Sequence, residues 1–254
     1  PTCAGSESYC VSSSWASSTV SNTCDYTALT GDSETPAWWA FACDNNSANP
    51  LCSSVDQGTG DAGSPFYVNH NPILTSVSDD GPLYGQEVIT FSSVSSDPDT
   101  DTATDTISLV ICKTAGVTGT SCDGGASDTW ATSTTSVSNP TATTTTPVAA
   151  DTYNYYSYIF DSHSLGAINN GTSSSFTVLN TPPVISAGPS DGALTGTSPT
   201  DVGSAVTFTA TSTDINDDDW KLVVVRPQQR QQLQPLLQLA QVVNRTVYHL
   251  HGHH

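Results

Sequence analysis

The chain repeats itself in a half–whole–half order, and that order constrains what it can fold into more than any single motif. Residues 38–47 (WWAFACDNNS) parallel residues 155–164 (YYSYIFDSHS), each an aromatic run closed by Asp-x-x-Ser. Residues 64–72 (SPFYVNHNP) parallel residues 174–182 (SSFTVLNTP). Another part of the unit also recurs. Residues 87–99 (EVITFSSVSSDPD) match residues 205–216 (AVTFTATSTDIN), pairing Phe91 with Phe208 and Asp97 with Asp214. Residues 106–113 (TISLVICK) match residues 220–226 (WKLVVVR), pairing Leu109 with Leu222 and Cys112 with Val225. Residues 1–70 therefore read as the second half of a unit, residues 71–180 as a complete unit and residues 181–226 as the first half of a third.

Composition sets the fold class. Charged residues make up only 11 % of the chain and apolar ones 36 %, with Ser and Thr filling much of the remainder. Ser and Thr compete for helical backbone hydrogen bonds, and β-branched Thr suits a pleated surface, so the expectation is all-β. Expected strands alternate apolar and polar residues at 88–94, 107–112, 152–160 and 174–179, separated by Gly, Pro, Asn and Asp. A unit of about 110 residues suits one immunoglobulin-type sandwich of seven or so short strands.

The SSDPD and STDIN turns, the VTF strand start and the aromatic strand before Asp44 and Asp161 resemble the tandem Ig-like repeats of bacterial surface proteins. That broad group includes cadherin-like and polycystic-kidney-type modules. The resemblance covers residues 1–225. It implies tandem β-sandwiches at a cell surface or in an extracellular fibre, one complete and two partial in this chain.

A half sandwich cannot cover its own apolar face. Residues 1–70 would expose Trp38 and Phe41, and residues 181–226 would expose Phe208, Leu222 and Val224. These five are the expected assembly interface, because each half carries the strands that the other lacks. Strand exchange between copies would complete both, and a head-to-tail contact that does not close generates a filament. The other reading is a piece of one continuous repeat array. Composition changes at residues 227–254, where seven Gln fall between 228 and 241 against two earlier in the chain. That tail reads either as a native segment that caps or joins subunits or as a frameshifted end.

Seven cysteines without a CxxC pair point to disulfides in an oxidising compartment. The expected pairs are Cys112–Cys122, Cys43–Cys52 and Cys10–Cys24, with Cys3 left over. Asp97, Asp99, Asp101 and Asp105 alternate in SSDPDTDTATD and either coordinate calcium or form a solvated polar turn. Asp214, Asn216, Asp217, Asp218 and Asp219 repeat the theme, and Asp79 and Asp80 lie near a junction. His70 and His163 read as isolated loop residues. Asn45 and Asn170 head N-glycosylation sequons.

The formal net charge of −19 repels phosphate backbones, which argues against nucleic acid, and no run of 18 apolar residues spans a membrane. No GxSxG, HExxH or phosphate-loop motif is present, and only Glu7, Glu34 and Glu87 supply glutamate, so no catalytic residue is assigned and no enzyme is expected. The expected function is a structural subunit of an extracellular filament or surface stalk, with itself as partner and calcium as the one candidate cofactor. The alternative is a surface adhesin or carbohydrate-binding module, in which Trp38, Trp39, Tyr155 and Tyr156 are candidates for a sugar platform, although strand alternation puts one member of each pair in the core.

Overall fold

The computed structural model describes residues 8–17, 19–46, 48–49, 51–53, 64–100 and 105–226. Cys3, Asp101 and the tail from residue 227 lie outside them. Two compact units form: residues 1–147 with 151–178, and residues 148–150 with 179–254. The regular secondary structure of the described residues is β, apart from one short 3-10 turn at Gly125–Ser127.

In the first unit, β1 (Ile73–Asp79), β3 (Val88–Ser96) and β8 (Thr141–Thr145) form one sheet in the order β1-β3-β8. A second sheet has the order β2-β10-β9-β4-β7, from β2 (Leu83–Tyr84), β4 (Ile107–Cys112), β7 (Thr129–Thr132), β9 (Thr152–Asp161) and β10 (Thr172–Leu179). A small hairpin of β5 (Val117–Thr118) and β6 (Ser121–Cys122) completes the unit. The four expected strands all exist, three of them extended by one or two residues at one end.

Period-two alternation explains β3. Ile89, Phe91, Ser93 and Ser95 point inward, while Val88, Ser92, Val94 and Ser96 are exposed. The two buried serines are tolerated because Ser93 Oγ donates to the Pro140 carbonyl at 2.8 Å and lies 3.0 Å from Ser95 Oγ. Opposite them, Ile107, Leu109 and Ile111 of β4, Tyr155 and Ile159 of β9, and Phe176 and Val178 of β10 join the same core as Leu74, Ile89 and Phe91. Phe91 is the centre of this core, its ring 5.0 Å from Tyr155 and 5.9 Å from Phe176, both edge-on. Tyr155 is 1 % exposed and its hydroxyl donates to Asp79 Oδ2 at 3.2 Å, so it is core and not part of a sugar platform.

β4 is buried on both faces, which its near-continuous apolar run (ISLVIC) requires. Val110, Cys112, Tyr158 and Phe160 form a second cluster with Cys122 on the outer face. The Cys112–Cys122 disulfide pins the β5–β6 hairpin over them, and Gly116 N donates to Tyr158 Oη at 2.7 Å.

Residues 8–70 contain no strand ladder among the described residues. They are held by the disulfides Cys10–Cys24 and Cys43–Cys52 and by a knot of three edge-on rings, Tyr9, Tyr26 and Phe66. All three described disulfides are the expected pairs. The aromatic strand expected at 38–41 is present only as a single bridge residue, Ala40. A strand needs neighbours for its N–H and C=O groups. Here Trp39 and Phe41 are about half exposed, at 53 % and 49 %.

The second unit has one two-stranded sheet, β11 (Val184–Ser190) with β12 (Thr209–Thr213), antiparallel with Val184 opposite Thr213. No apolar cluster is buried in it among the described residues. Val184, Ile185, Phe208, Val223 and Val224 are all at least 45 % exposed, while Leu222 is half-buried.

Candidate metal centre

Four carboxylates meet where the ends of β3, β4 and β9 come together. β3 stops at Ser96, and Asp97 and Asp99 follow it. Asp105 precedes β4, and Asp161 ends β9. Asp97, Asp99, Asp105 and Asp161 are only 8, 4, 7 and 6 % exposed. A ligand oxygen of each of the first three lies within 4.8 Å of the others. Like charges at that distance in a partly dry site repel strongly, so the arrangement needs compensation.

Much of it comes from hydrogen bonds. Asp97 Oδ1 accepts Asp99 N at 2.9 Å. Asp99 Oδ2 accepts His70 N at 2.6 Å, and Asp99 Oδ1 faces His70 Nδ1 at 2.6 Å. Asp105 takes the Ser162 hydroxyl and Thr106 N on Oδ1, with His163 Nδ1 3.0 Å from Oδ2. Asp161 Oδ1 accepts His163 N and Leu165 N at 2.9 and 2.7 Å, and its Oδ2 accepts Asn69 Nδ2 at 2.9 Å. One oxygen is left over: Asp97 Oδ2 is buried and has no partner.

The titration behaviour follows from this wiring. Burial pushes the Asp97 carboxyl up, and the nearby charges of Asp105, Asp99 and Asp161 add to that, against the Asp99 N–H. Burial also raises Asp105, but its bonds from Ser162 and His163 outweigh that and hold it below the usual value. His70 is raised chiefly by its bond to Asp99, and His163 by its bond to Asp105. Both ring nitrogens of His70 face acceptors, since Nε2 lies 3.1 Å from the Asp32 carbonyl, and only the imidazolium donates from both. Were both histidines protonated and all four carboxyls ionised, two negative charges would remain in excess, the charge a divalent cation supplies. An all-oxygen donor set suits calcium, magnesium or manganese over softer metals. Such a cation would take Asp97 Oδ2 as its first ligand, with oxygens of Asp99 and Asp105 beside it.

Of the expected acids, Asp97, Asp99 and Asp105 come together, and Asp101 lies outside the described residues. Sequence reading missed Asn69, His70, His163 and Asp161 as members. Asp161 did carry a signal, because it closes the recurring aromatic motif. Asp79 and Asp80 are spent elsewhere, on Gly81 N, Tyr155 Oη and Thr90 N. In the second unit Asp214 Oδ1 accepts Asn216 N at 2.7 Å, and Asn216 Oδ1 accepts Thr181 N at 2.5 Å. Asp217, Asp218 and Asp219 there are exposed.

The sequons at Asn45 and Asn170 differ. Asn45 is exposed. The Asn170 amide is engaged in the folded chain: its Nδ2 donates to the Ile159 carbonyl at 2.9 Å and its Oδ1 accepts Ile159 N at 2.7 Å. Asn170→Ala is expected to lower stability by about 1–3 kcal/mol, since it orphans the buried Ile159 N, while the Ile159 carbonyl keeps its bond from Ala167 N at 3.0 Å. Mass spectrometry of the glycosylated protein, secreted from a eukaryotic host, is expected to find Asn170 unmodified; a glycan there would show that this amide is free before folding closes on it.

Comparison of the chain with models of known families, with curated proteins and with solved structures finds no match.

Proposed function

We propose that this chain is a structural subunit of an extracellular filament or surface stalk. Its two core-sharing sheets are read as an Ig-like β-sandwich, and the flanking halves as partial sandwiches that complete each other between copies, head to tail. The observation that carries this reading is the second unit. It pairs two strands, leaves Val184, Ile185, Phe208, Val223 and Val224 largely exposed, and buries no apolar cluster among its described residues. Two strands alone are marginal in water, and an open apolar sheet is a template for a further strand. Three disulfides support an oxidising, extracellular setting. Calcium is the proposed cofactor, held at Asp97, Asp99 and Asp105, where it would fix the lead-in to β1 through His70 and Asn69. Asn45 is the proposed glycan site.

Electron microscopy and light scattering of the purified full chain test this reading. Linear polymers are expected. A monodisperse monomer at about 0.1 mM, well above the micromolar range typical of specific contacts, would sink it.

A further inference from the structure

The hydrogen bonds of the intact domain recur in two pieces elsewhere in the chain, and the pieces are complementary. One piece is the turn after β9. In the intact domain Asp161 N donates to the Leu165 carbonyl at 3.0 Å, Asp161 Oδ1 accepts His163 N and Leu165 N, and Phe160 bridges Gly166. In the N-terminal segment Asp44 N donates to the Leu51 carbonyl at 2.9 Å, Asp44 Oδ1 accepts Asn46 N at 3.2 Å and Leu51 N at 3.0 Å, and Cys43 bridges Cys52. The second turn is built to the same plan, with a disulfide where the intact domain has Phe160 and Gly166.

The other piece is the junction of β1 and β3. Ile73 lies opposite Ser96, Asp99 N bonds Asp97 Oδ1, and His70 N bonds Asp99 Oδ2. In the second unit Val184 lies opposite Thr213, Asn216 N bonds Asp214 Oδ1, and Thr181 N bonds Asn216 Oδ1. These bonds put Thr181 at the place of His70, one residue from the match that the sequence alone suggests. Beyond this junction, residues 220–225 correspond to β4 but join no ladder. In the intact domain β4 lies between β7 and β9, and on the β9 side Leu109 is opposite Ile159 and Ile111 opposite Ser157.

We propose that residues 38–46 and 51–53 of one copy dock on the second unit of another copy, taking the place that β9 and its turn take in the intact domain. This rests on the filament reading and fixes its register. The correspondence of Ile159 with Ala42 and of Leu109 with Leu222 places Ala42 opposite Leu222 and Ala40 opposite Val224. Cys43–Cys52 keeps the incoming turn formed before it meets a sheet, so less ordering is lost on docking. Trp39 and Phe41 on the incoming segment, and Val223 and Val224 on the host, are the half-exposed apolar residues this contact would cover.

The test mixes full-length Ala40→Cys chains with full-length Val224→Cys chains under mild oxidation and maps disulfide-linked peptides. The expected result is an inter-chain 40–224 link, at least tenfold more abundant than the link from Ala40→Cys with Val223→Cys, whose side chain points to the other face. Removing the turn disulfide with Cys43→Ser and Cys52→Ser is expected to weaken assembly at least tenfold while the melting of the intact domain stays unchanged. Polymers without the 40–224 link would overturn this register and leave the filament reading standing. A 40–224 link found only within one chain, in a double variant that stays monomeric, would overturn the exchange between copies. Absence of any polymer sinks the filament reading and this contact with it.

Discussion

Metal-stripped protein in about 10 mM calcium is expected to melt roughly 5–15 °C higher than in EDTA. The estimate takes an extracellular-type dissociation constant of about 0.1–1 mM, which at that excess gives about 1.4–2.7 kcal/mol, spread over a domain of about 100 residues. The variant Asp97→Asn separates this from general salt effects. It replaces the cluster's buried oxygen without a partner, at a carboxyl that burial and three neighbouring acids already disfavour as an anion. In EDTA the variant is expected to melt higher than the parent, and in calcium it is expected to lose most of the gain. Equal melting of the parent with and without calcium would remove the cation from the picture.

The same site sets a pH dependence with a definite sign. His70, His163 and Asp97 all bind their protons more tightly in the folded state. For the histidines, the stability they contribute is complete below the ordinary histidine value and is lost as pH rises through the raised folded value. For Asp97, stability is gained as pH falls through its raised value, and the gain is complete below the ordinary carboxylate value. Asp105 runs the other way, contributing above the ordinary carboxylate range and losing that contribution in stronger acid. Metal-free protein is therefore expected to be more stable near about pH 5 than about pH 8, and calcium affinity to be lower at about pH 5 than at about pH 8 because protons compete for the ligands. Calorimetric titration at both values checks this; an affinity unchanged with pH would place the cation away from Asp97.

Phe91→Ala is expected to destabilise the first unit by about 3–5 kcal/mol, enough to unfold a domain of ordinary stability. Its ring is fully buried between Tyr155 and Phe176, and no small shift fills the hole. Phe208 holds the same place in the repeat yet is 45 % exposed. Phe208→Ala is expected to change the melting of dispersed subunits by less than about 1 kcal/mol while abolishing polymers. Chemical denaturation of both variants beside microscopy of the second is the measurement. A large loss for Phe208→Ala in dispersed subunits would mean that this ring is already covered within one chain, and the exchange of strands would lose its driving force.

Local pattern carried the strands. Alternation in β3, the doubly apolar run of β4 and the aromatic run of β9 are properties of adjacent residues, so they could be read without coordinates. The disulfide pairs were legible for the same reason, since each closes a short loop. The acid cluster was half legible: Asp97, Asp99 and Asp105 sit within nine residues, and their alternation marked them.

What the sequence could not give was which distant groups converge on those acids. Asn69, His70 and Asp161 reach the site because β1, β3, β4 and β9 end together, and that is a consequence of sheet order. The fate of residues 38–41 was equally out of reach. Trp38 and Tyr155 open the same aromatic motif, but Tyr155 has β4 and β10 on either side of its strand and a core beneath it. Among the described residues no strand of the two sheets flanks residues 39–41. Sequence determined which segments are able to be strands; tertiary structure decided which of them are, because a strand's backbone hydrogen bonds and its apolar face are both satisfied only by residues far away in the chain.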